Sequence, residues 1–205
     1  MKTISENNGS CNHNLGPNRT RRTGIKIDFT LIILKSNARG MQYGMGSYLR
    51  ELTCSLHQYR NVRIILVHYN NKEAREFSVM KKSVFQIEVI IPATINSHLN
   101  WLEYDMKYSS AVLNLLDSII PTDSKVVFLV NYISEYYLVK RIKERYTHPI
   151  VSVAHSAQWQ LFFNVNRKKF EAIGTEALVK KPEINILQEK ETFQTSDMII
   201  LVTNY

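Results

Sequence analysis

Three glycines lie close together in the segment SNARGMQYGMG (36–46), between a strongly apolar run and a helical pattern. In an open parallel sheet, the loop after the first strand lies at the carboxyl edge, where ligands bind. A helix that begins there presents free backbone N–H groups to phosphate, and glycine lets a ligand approach the backbone because it has no Cβ. The loop that contains Gly40, Gly44 and Gly46 is therefore a candidate site for a diphosphate.

The glycine pattern also excludes two common nucleotide-binding loops. It is not GxGxxG, because Leu49 stands where the third glycine would be. No GK[ST] sequence is present, which argues against a P-loop NTPase. A tight turn that binds no ligand remains the alternative interpretation of this loop.

A histidine and a tryptophan follow a later apolar run, PIVSVAHS (149–156). His155 ends that run at the same predicted sheet edge, where an imidazole can hydrogen-bond to a sugar hydroxyl or to a developing charge; we predict a catalytic role for it. Trp159 is predicted to form an aromatic wall for a sugar or peptide acceptor. The alternatives are a histidine bonded to a neighbouring loop and a tryptophan in the loop core. No His or Cys spacing fits a metal site, so neither a metal nor a cofactor is expected.

Apolar runs and helical patterns alternate along the rest of the chain, which predicts an α/β fold: a Rossmann-like, doubly wound, mostly parallel sheet with helices on both faces. The domain is predicted to span residues 25–205. The predicted strands are 25–34, 62–69, 84–92, 125–132, 149–156 and 197–203, and the predicted helices are 47–59, 100–121, 133–146 and 183–196.

Residues 1–24 are polar and basic, and are predicted to form a disordered tail because they have few apolar groups to bury. Residues 1–60 hold nine Lys or Arg residues against three acidic ones, out of a net charge of +8 for the chain. Such a basic end attracts phosphorylated ligands, nucleic acid or anionic lipid, or is simply a solvated tail.

The sequence shows no secretory signal and no apolar run long enough to span a bilayer. Its two cysteines, Cys11 and Cys54, indicate neither a disulfide framework nor a zinc site. These features favour a cytoplasmic protein, with peripheral contact at the inner membrane face left open. The last run, DMIILVT (197–203), is strongly apolar yet is followed by no helix to cover it, which predicts a truncated domain.

Taken in order, three segments resemble the N-terminal, acceptor-side domain of family 4 glycosyltransferases, which are retaining enzymes of the GT-B fold. The resemblance covers roughly residues 25 to 205. The segment RGMQYGMGSY (39–48) is also similar to the same segment in a bacterial subgroup associated with peptide maturation. The three segments are ARGMQYGMGSYLRELTCSL (38–56), PIVSVAHS (149–156) and EKETFQTSDMIILVTNY (189–205).

The resemblance implies a nucleotide-sugar donor held between two Rossmann-like domains, with its diphosphate on Gly44, Met45 and Gly46 and with His155 near the transferred sugar. The acceptor would be a sugar, a lipid-linked group or a peptide. The C-terminal Rossmann-like domain of the family is absent from this sequence, so the chain alone is expected to be inactive unless a separate chain supplies that domain.

Two other interpretations stay open. The chain could be a non-enzymatic Rossmann-like module that binds a phosphorylated ligand or nucleic acid, although no RRM, KH or helix-turn-helix pattern is present and a nucleic-acid partner is not expected. It could also be a non-functional remnant with an exposed apolar face, which predicts poor solubility.

Overall fold

The computed structural model describes residues 26–36, 45–94, 99–122, 124–131, 136–154 and 181–202. The predicted tail, residues 1–24, lies outside them. The strands are β1 (Phe29–Ser36), β2 (Val62–Asn71), β3 (Ser78–Lys81), β4 (Gln86–Pro92), β5 (Lys125–Val130), β6 (Ile150–Ala154) and β7 (Met198–Leu201). The helices are α1 (Met45–Leu56), α2 (Trp101–Leu116), α3 (Tyr136–Arg145) and, last in the described chain, α4 (Lys181–Thr195).

The strands form one seven-stranded sheet in the order β3-β4-β2-β1-β5-β6-β7. Every pairing is parallel except that of β3, which runs antiparallel to β4. The central strand β1 reads FTLIILKS, and its middle residues have no solvent exposure. Such a continuous β-branched and aliphatic run is typical of a parallel strand covered on both faces.

Helices cover both faces of the sheet. On one face, Ile32 and Leu34 of β1 belong to a core cluster with residues of α2 and α3. On the other face, Ile33 packs in a second cluster with Leu49 of α1. Because alternate residues of a strand point to opposite faces, one run of sequence supplies both cores. The sheet is therefore doubly wound, as predicted.

The observed elements begin and end within five residues of the predicted bounds, and the structure adds one strand that was not predicted. The antiparallel strand β3 was not predicted, because SVMK is short, follows no long apolar run and is largely exposed. The predicted helix 100–121 ends at Leu116, and the chain then turns through residues 117–119. Its start is capped by Asn100, whose side-chain oxygen accepts from the backbone N–H of Glu103 at 3.0 Å, a common N-cap arrangement.

A junction at the ends of β2 and β4 fixes the position of α2. Asn70, near the end of β2, has a φ of 54°, in the left-handed region that asparagine tolerates better than most residues. Its backbone N–H donates to the Tyr108 hydroxyl at 2.6 Å. That hydroxyl donates in turn to the Pro92 carbonyl at 2.9 Å. The Tyr108 side chain thus ties α2 to two strands.

The strand β7 lies at one edge of the sheet with all four side chains exposed, Met198 at 60% and Leu201 at 70%. Its register is fixed by pairing with β6 and by Asp197, whose carboxylate accepts from the backbone N–H of Ile150 at 2.9 Å. The Lys143 ammonium donates to the same carboxylate at 2.7 and 2.8 Å.

Two further observations bear on the expectations from sequence. Cys54 is disulfide-bonded, whereas the sequence indicated no disulfide framework. In the described parts of the chain, none of the helices has the length and apolar character that crossing a bilayer requires.

Candidate functional site

The carboxyl ends of β1 and β5 meet at a topological switch point. From the carboxyl end of β1 the chain passes through α1, on one face, to β2; from the carboxyl end of β5 it passes through α3, on the other face, to β6. The connections from these neighbouring strands therefore diverge, which opens a crevice above their carboxyl ends. In open α/β sheets this crevice is where ligands bind.

Three strands end within two residues of one another at this crevice. Leu34 of β1 is in register with Val130 of β5, and Val130 with Ser152 of β6. The strands β1 and β6 each continue two residues further, to Ser36 and Ala154. The segments that follow β1, β5 and β6 therefore all begin at the same edge of the sheet.

The helix α1 begins at this edge with Met45 and Gly46. The N–H groups of a first helical turn have no acceptor four residues earlier within the helix, so they are suited to an anion. Gly46 is half-buried, and Ser47 after it is exposed. Of the three residues predicted to bind diphosphate, Met45 and Gly46 open the helix, and Gly44 lies outside the described residues.

The other two predicted site residues, His155 and Trp159, also lie outside the described residues. Ala154, which immediately precedes His155, ends β6 at the carboxyl edge. Their roles therefore stay predictions.

Sequence reasoning missed a buried amide at the carboxyl end of β5. Asn131 directly follows β5 and is only 4% exposed. An amide side chain both donates and accepts hydrogen bonds, so it suits a site that orients hydroxyl groups. The signal in the sequence is a polar residue that ends the apolar run KVVFLV, as strand ends at this edge commonly carry ligand-binding residues.

A carboxyl group with a perturbed pKa lies beside the same edge. Burial raises the pKa of Asp105, in the second turn of α2, to about 6. The pKa of Tyr137, at the start of α3, is raised by burial, then by Tyr136 and by the charge of Asp105. The two tyrosine rings meet edge to face at 5.0 Å between centroids.

Perturbed carboxyl groups beside aromatic rings are suited to sugar hydroxyls, because the carboxylate accepts hydrogen bonds while the rings pack against C–H faces. Asp105 was not singled out from the sequence. Its signal is an acid within the aromatic stretch WLEYDMKY, but only the packing of α2 against α3 shows that it is half-buried. Among the described residues, no group of three or more His, Cys, Asp or Glu side chains could hold a metal ion.

No protein-family model and no curated protein matches the chain. Among solved structures, the chain is similar to a sucrose-phosphate synthase from Thermosynechococcus elongatus, with a TM-score of 0.57 and 11% sequence identity. The match covers 85% of this chain and 42% of that one, so this chain corresponds to less than half of the longer protein.

A likeness at this identity shows the fold. The chain has the doubly wound, Rossmann-like architecture of one half of a GT-B glycosyltransferase, and the predicted fold class is confirmed.

Proposed function

We propose that this chain is the N-terminal, acceptor-side half of a retaining glycosyltransferase of family 4, which moves a sugar from a nucleotide-sugar to an acceptor. The observation that carries the proposal is the opening of α1 by Met45 and Gly46 at the switch-point crevice of a glycosyltransferase-like fold. Backbone N–H groups at that position favour a nucleoside diphosphate, the leaving group of such a reaction.

In this proposal Gly44, Met45 and Gly46 hold the diphosphate through backbone N–H groups, and no metal is required. His155 orients the transferred sugar and the acceptor hydroxyl, while Trp159 forms a wall against the acceptor. Asp105, near the carboxyl edge, supplies a further hydrogen-bonding group for hydroxyls. The acceptor is a sugar, a lipid-linked group or a peptide.

A second Rossmann-like domain is needed to complete the cleft, either on a separate chain or in a longer form of this protein. Half of a cleft makes only part of the donor contacts and cannot exclude water from the reacting atoms. The purified 205-residue chain is therefore proposed to bind a nucleoside diphosphate weakly and to transfer no sugar by itself. Clear transfer by the chain alone contradicts this part of the proposal.

A steric test addresses the diphosphate contact. Gly46→Val places a branched side chain where the diphosphate approaches the backbone, and is expected to remove binding of UDP and GDP measured by saturation-transfer NMR. Ser47→Val, one residue further at an exposed position, is the matched control and is expected to retain binding. The proposal is overturned if neither nucleotide binds the wild-type chain, or if both variants bind as the wild type does.

A further inference from the structure

A row of polar side chains crosses three strands on the face of the sheet that carries α1. Lys35 of β1 and His68 of β2 are paired in the strand register. Glu88 of β4 is in register with Leu66, two residues before His68. Because Ile33 and Ile64 pack toward α1 and side chains alternate along a strand, Lys35 and His68 point to that same face.

The row lies close to the edge where α1 begins. Lys35 is the penultimate residue of β1, and Ser36 is the last before the glycine-rich segment. His68 lies in the second half of β2, toward its carboxyl end, and Glu88 is the third residue of β4. The polar row and the first turn of α1 therefore share one face and one edge of the sheet.

Among the described residues, the positive side chains at this row outnumber the negative ones. The Glu88 carboxylate is already engaged: the Lys82 ammonium lies 3.3 Å from its Oε2, and the Gln86 amide donates to its Oε1 at 3.4 Å. Lys35 and Lys82 thus face a single carboxylate. The α1 residues that pack toward this face, Tyr48, Leu49, Leu52 and Leu56, are uncharged, while Arg50 and Glu51 are exposed.

Burial makes the excess positive charge costly. Burial lowers the pKa of Lys35, and the attraction of Glu88 only partly opposes this. Burial, followed by the charge of Lys35, lowers the pKa of His68 to about 4; Glu88 raises it and Lys82 lowers it further. A half-buried ammonium beside a neutral imidazole is stabilised when an anion arrives, since the anion compensates the charge and accepts hydrogen bonds from both groups.

We propose that Lys35 and His68 form a binding site for a phosphate group on the α1 face of the sheet. A phosphate group has several acceptor oxygens, enough for the ammonium, the imidazole N–H and a backbone N–H at the start of α1. At pH 7 a phosphate group carries between one and two negative charges, more than a carboxylate, so it compensates the Lys35 ammonium more fully. The phosphate belongs either to the diphosphate of the donor or to a phosphorylated acceptor. Only that last choice rests on the proposed function; phosphate binding itself does not.

Binding of three probes to the full 205-residue chain tests this site: inorganic pyrophosphate, UDP and glucose 6-phosphate, each measured by isothermal titration calorimetry. Lys35→Met keeps the aliphatic stem and is expected to weaken pyrophosphate binding about tenfold or more, the loss expected for a charge-assisted hydrogen bond. Lys35→Arg keeps the charge and is expected to retain most of the binding. Lys125→Met, at the amino end of β5, is the matched control and is expected to leave binding unchanged.

A second readout follows His68 directly. Its imidazole is titrated by NMR with and without pyrophosphate, and the pKa of His68 is expected to rise when the anion binds, because a nearby negative charge favours the protonated form. The site is overturned if Lys35→Met binds all three probes as the wild type does, if Lys125→Met loses as much binding as Lys35→Met, or if the pKa of His68 does not move. Circular dichroism of each variant shows that it is folded.

The three probes show whether the phosphate comes from the donor or from a phosphorylated acceptor. A loss confined to UDP and pyrophosphate assigns the site to the donor, and a loss that includes glucose 6-phosphate but not UDP assigns it to a phosphorylated acceptor. The outcome is separate from that of the proposed function. Gly46→Val can remove UDP binding while Lys35→Met does not, in which case the phosphate site fails and the transferase proposal stands. Conversely, glucose 6-phosphate binding can depend on Lys35 in a chain that binds no nucleotide.

Discussion

Lys35 of β1 and His68 of β2 are paired neighbours across two parallel strands, and burial lowers the pKa of both. A sheet interior gains nothing for stability from two adjacent groups whose charged forms are disfavoured. Residues that lower stability yet face a ligand-binding edge are characteristic of functional sites.

Lys35→Met is expected to raise the free energy of unfolding at pH 7, because it removes a half-buried ammonium and leaves Glu88 paired with Lys82. Urea denaturation followed by circular dichroism measures the change. Lys26→Met, at a side chain with 89% exposure, is the control and should alter stability little. A variant that is less stable than the wild type would show that the attraction of Glu88 outweighs the cost of burial.

His68 predicts a loss of stability in acid. Its pKa in the folded state, about 4, lies below the ordinary value of 6.5, so the folded state binds the proton less readily than the unfolded one. Its contribution is complete above pH 6.5 and is lost as the pH falls from 6.5 toward 4, by at most about 3 kcal/mol. His68→Gln should flatten this part of the stability profile, whereas His57→Gln at an exposed position should not. An unchanged slope in His68→Gln would rule out this origin.

Asp105 is expected to make stability change with pH in the opposite direction over nearly the same pH range. Its pKa is raised from 3.8 to about 6, so the folded state favours the protonated acid. The stabilisation that this gives is present below pH 3.8 and is lost as the pH rises through 6. Asp105→Asn should therefore be more stable than the wild type at pH 7, by about 1 to 2 kcal/mol. It should also lose stability more steeply as the pH falls, because the gain from protonating Asp105 no longer offsets the loss from protonating His68. Urea midpoints measured between pH 4 and 7 check both effects, and a less stable Asp105→Asn at pH 7 contradicts them.

Tyr108→Phe is expected to destabilise the protein by about 1 to 3 kcal/mol, because the Asn70 N–H and the Pro92 carbonyl both lose the hydroxyl that joins them. Thermal or urea unfolding measures the loss. Tyr104, whose ring stacks on Tyr108 at 5.4 Å between centroids, provides the control. Tyr104→Phe keeps the stack and leaves the junction intact, so equal losses in the two variants would mean that the junction contributes nothing.

The parts of the fold that could be predicted from the sequence are those with a strong local signal. The unbroken apolar run of β1 and the capped helical pattern that Asn100 opens are visible in the residues alone. The short strand β3 has no such signal, because its pairing with β4 decides it. The site shows the same division. The glycines before α1 can be recognised in the sequence, whereas the pairing of Lys35 with His68, 33 residues apart in sequence, depends on the register between β1 and β2.

Asp197 offers a test of what holds β7 against the sheet. Its carboxylate accepts from the Lys143 ammonium and from the backbone N–H of Ile150, and these bonds lower its pKa, the lysine contributing most. Asp197→Ala removes both acceptors and is expected to cost about 1 to 2 kcal/mol in urea unfolding, whereas Lys143→Met removes only an exposed ion pair and should cost less than about 1 kcal/mol.

Asp197→Asn separates the two contributions, because its amide oxygen can still accept from the Ile150 N–H while the ion pair is lost. Its stability is therefore expected to match that of Lys143→Met. The lowered pKa of Asp197 also predicts how stability depends on pH. The contribution of Asp197 to stability is present above pH 3.8 and is lost as the pH falls below it. The three variants should therefore converge on the stability of the wild type in strong acid. If Lys143→Met costs as much as Asp197→Ala at neutral pH, the ion pair and not the backbone bond holds the start of β7.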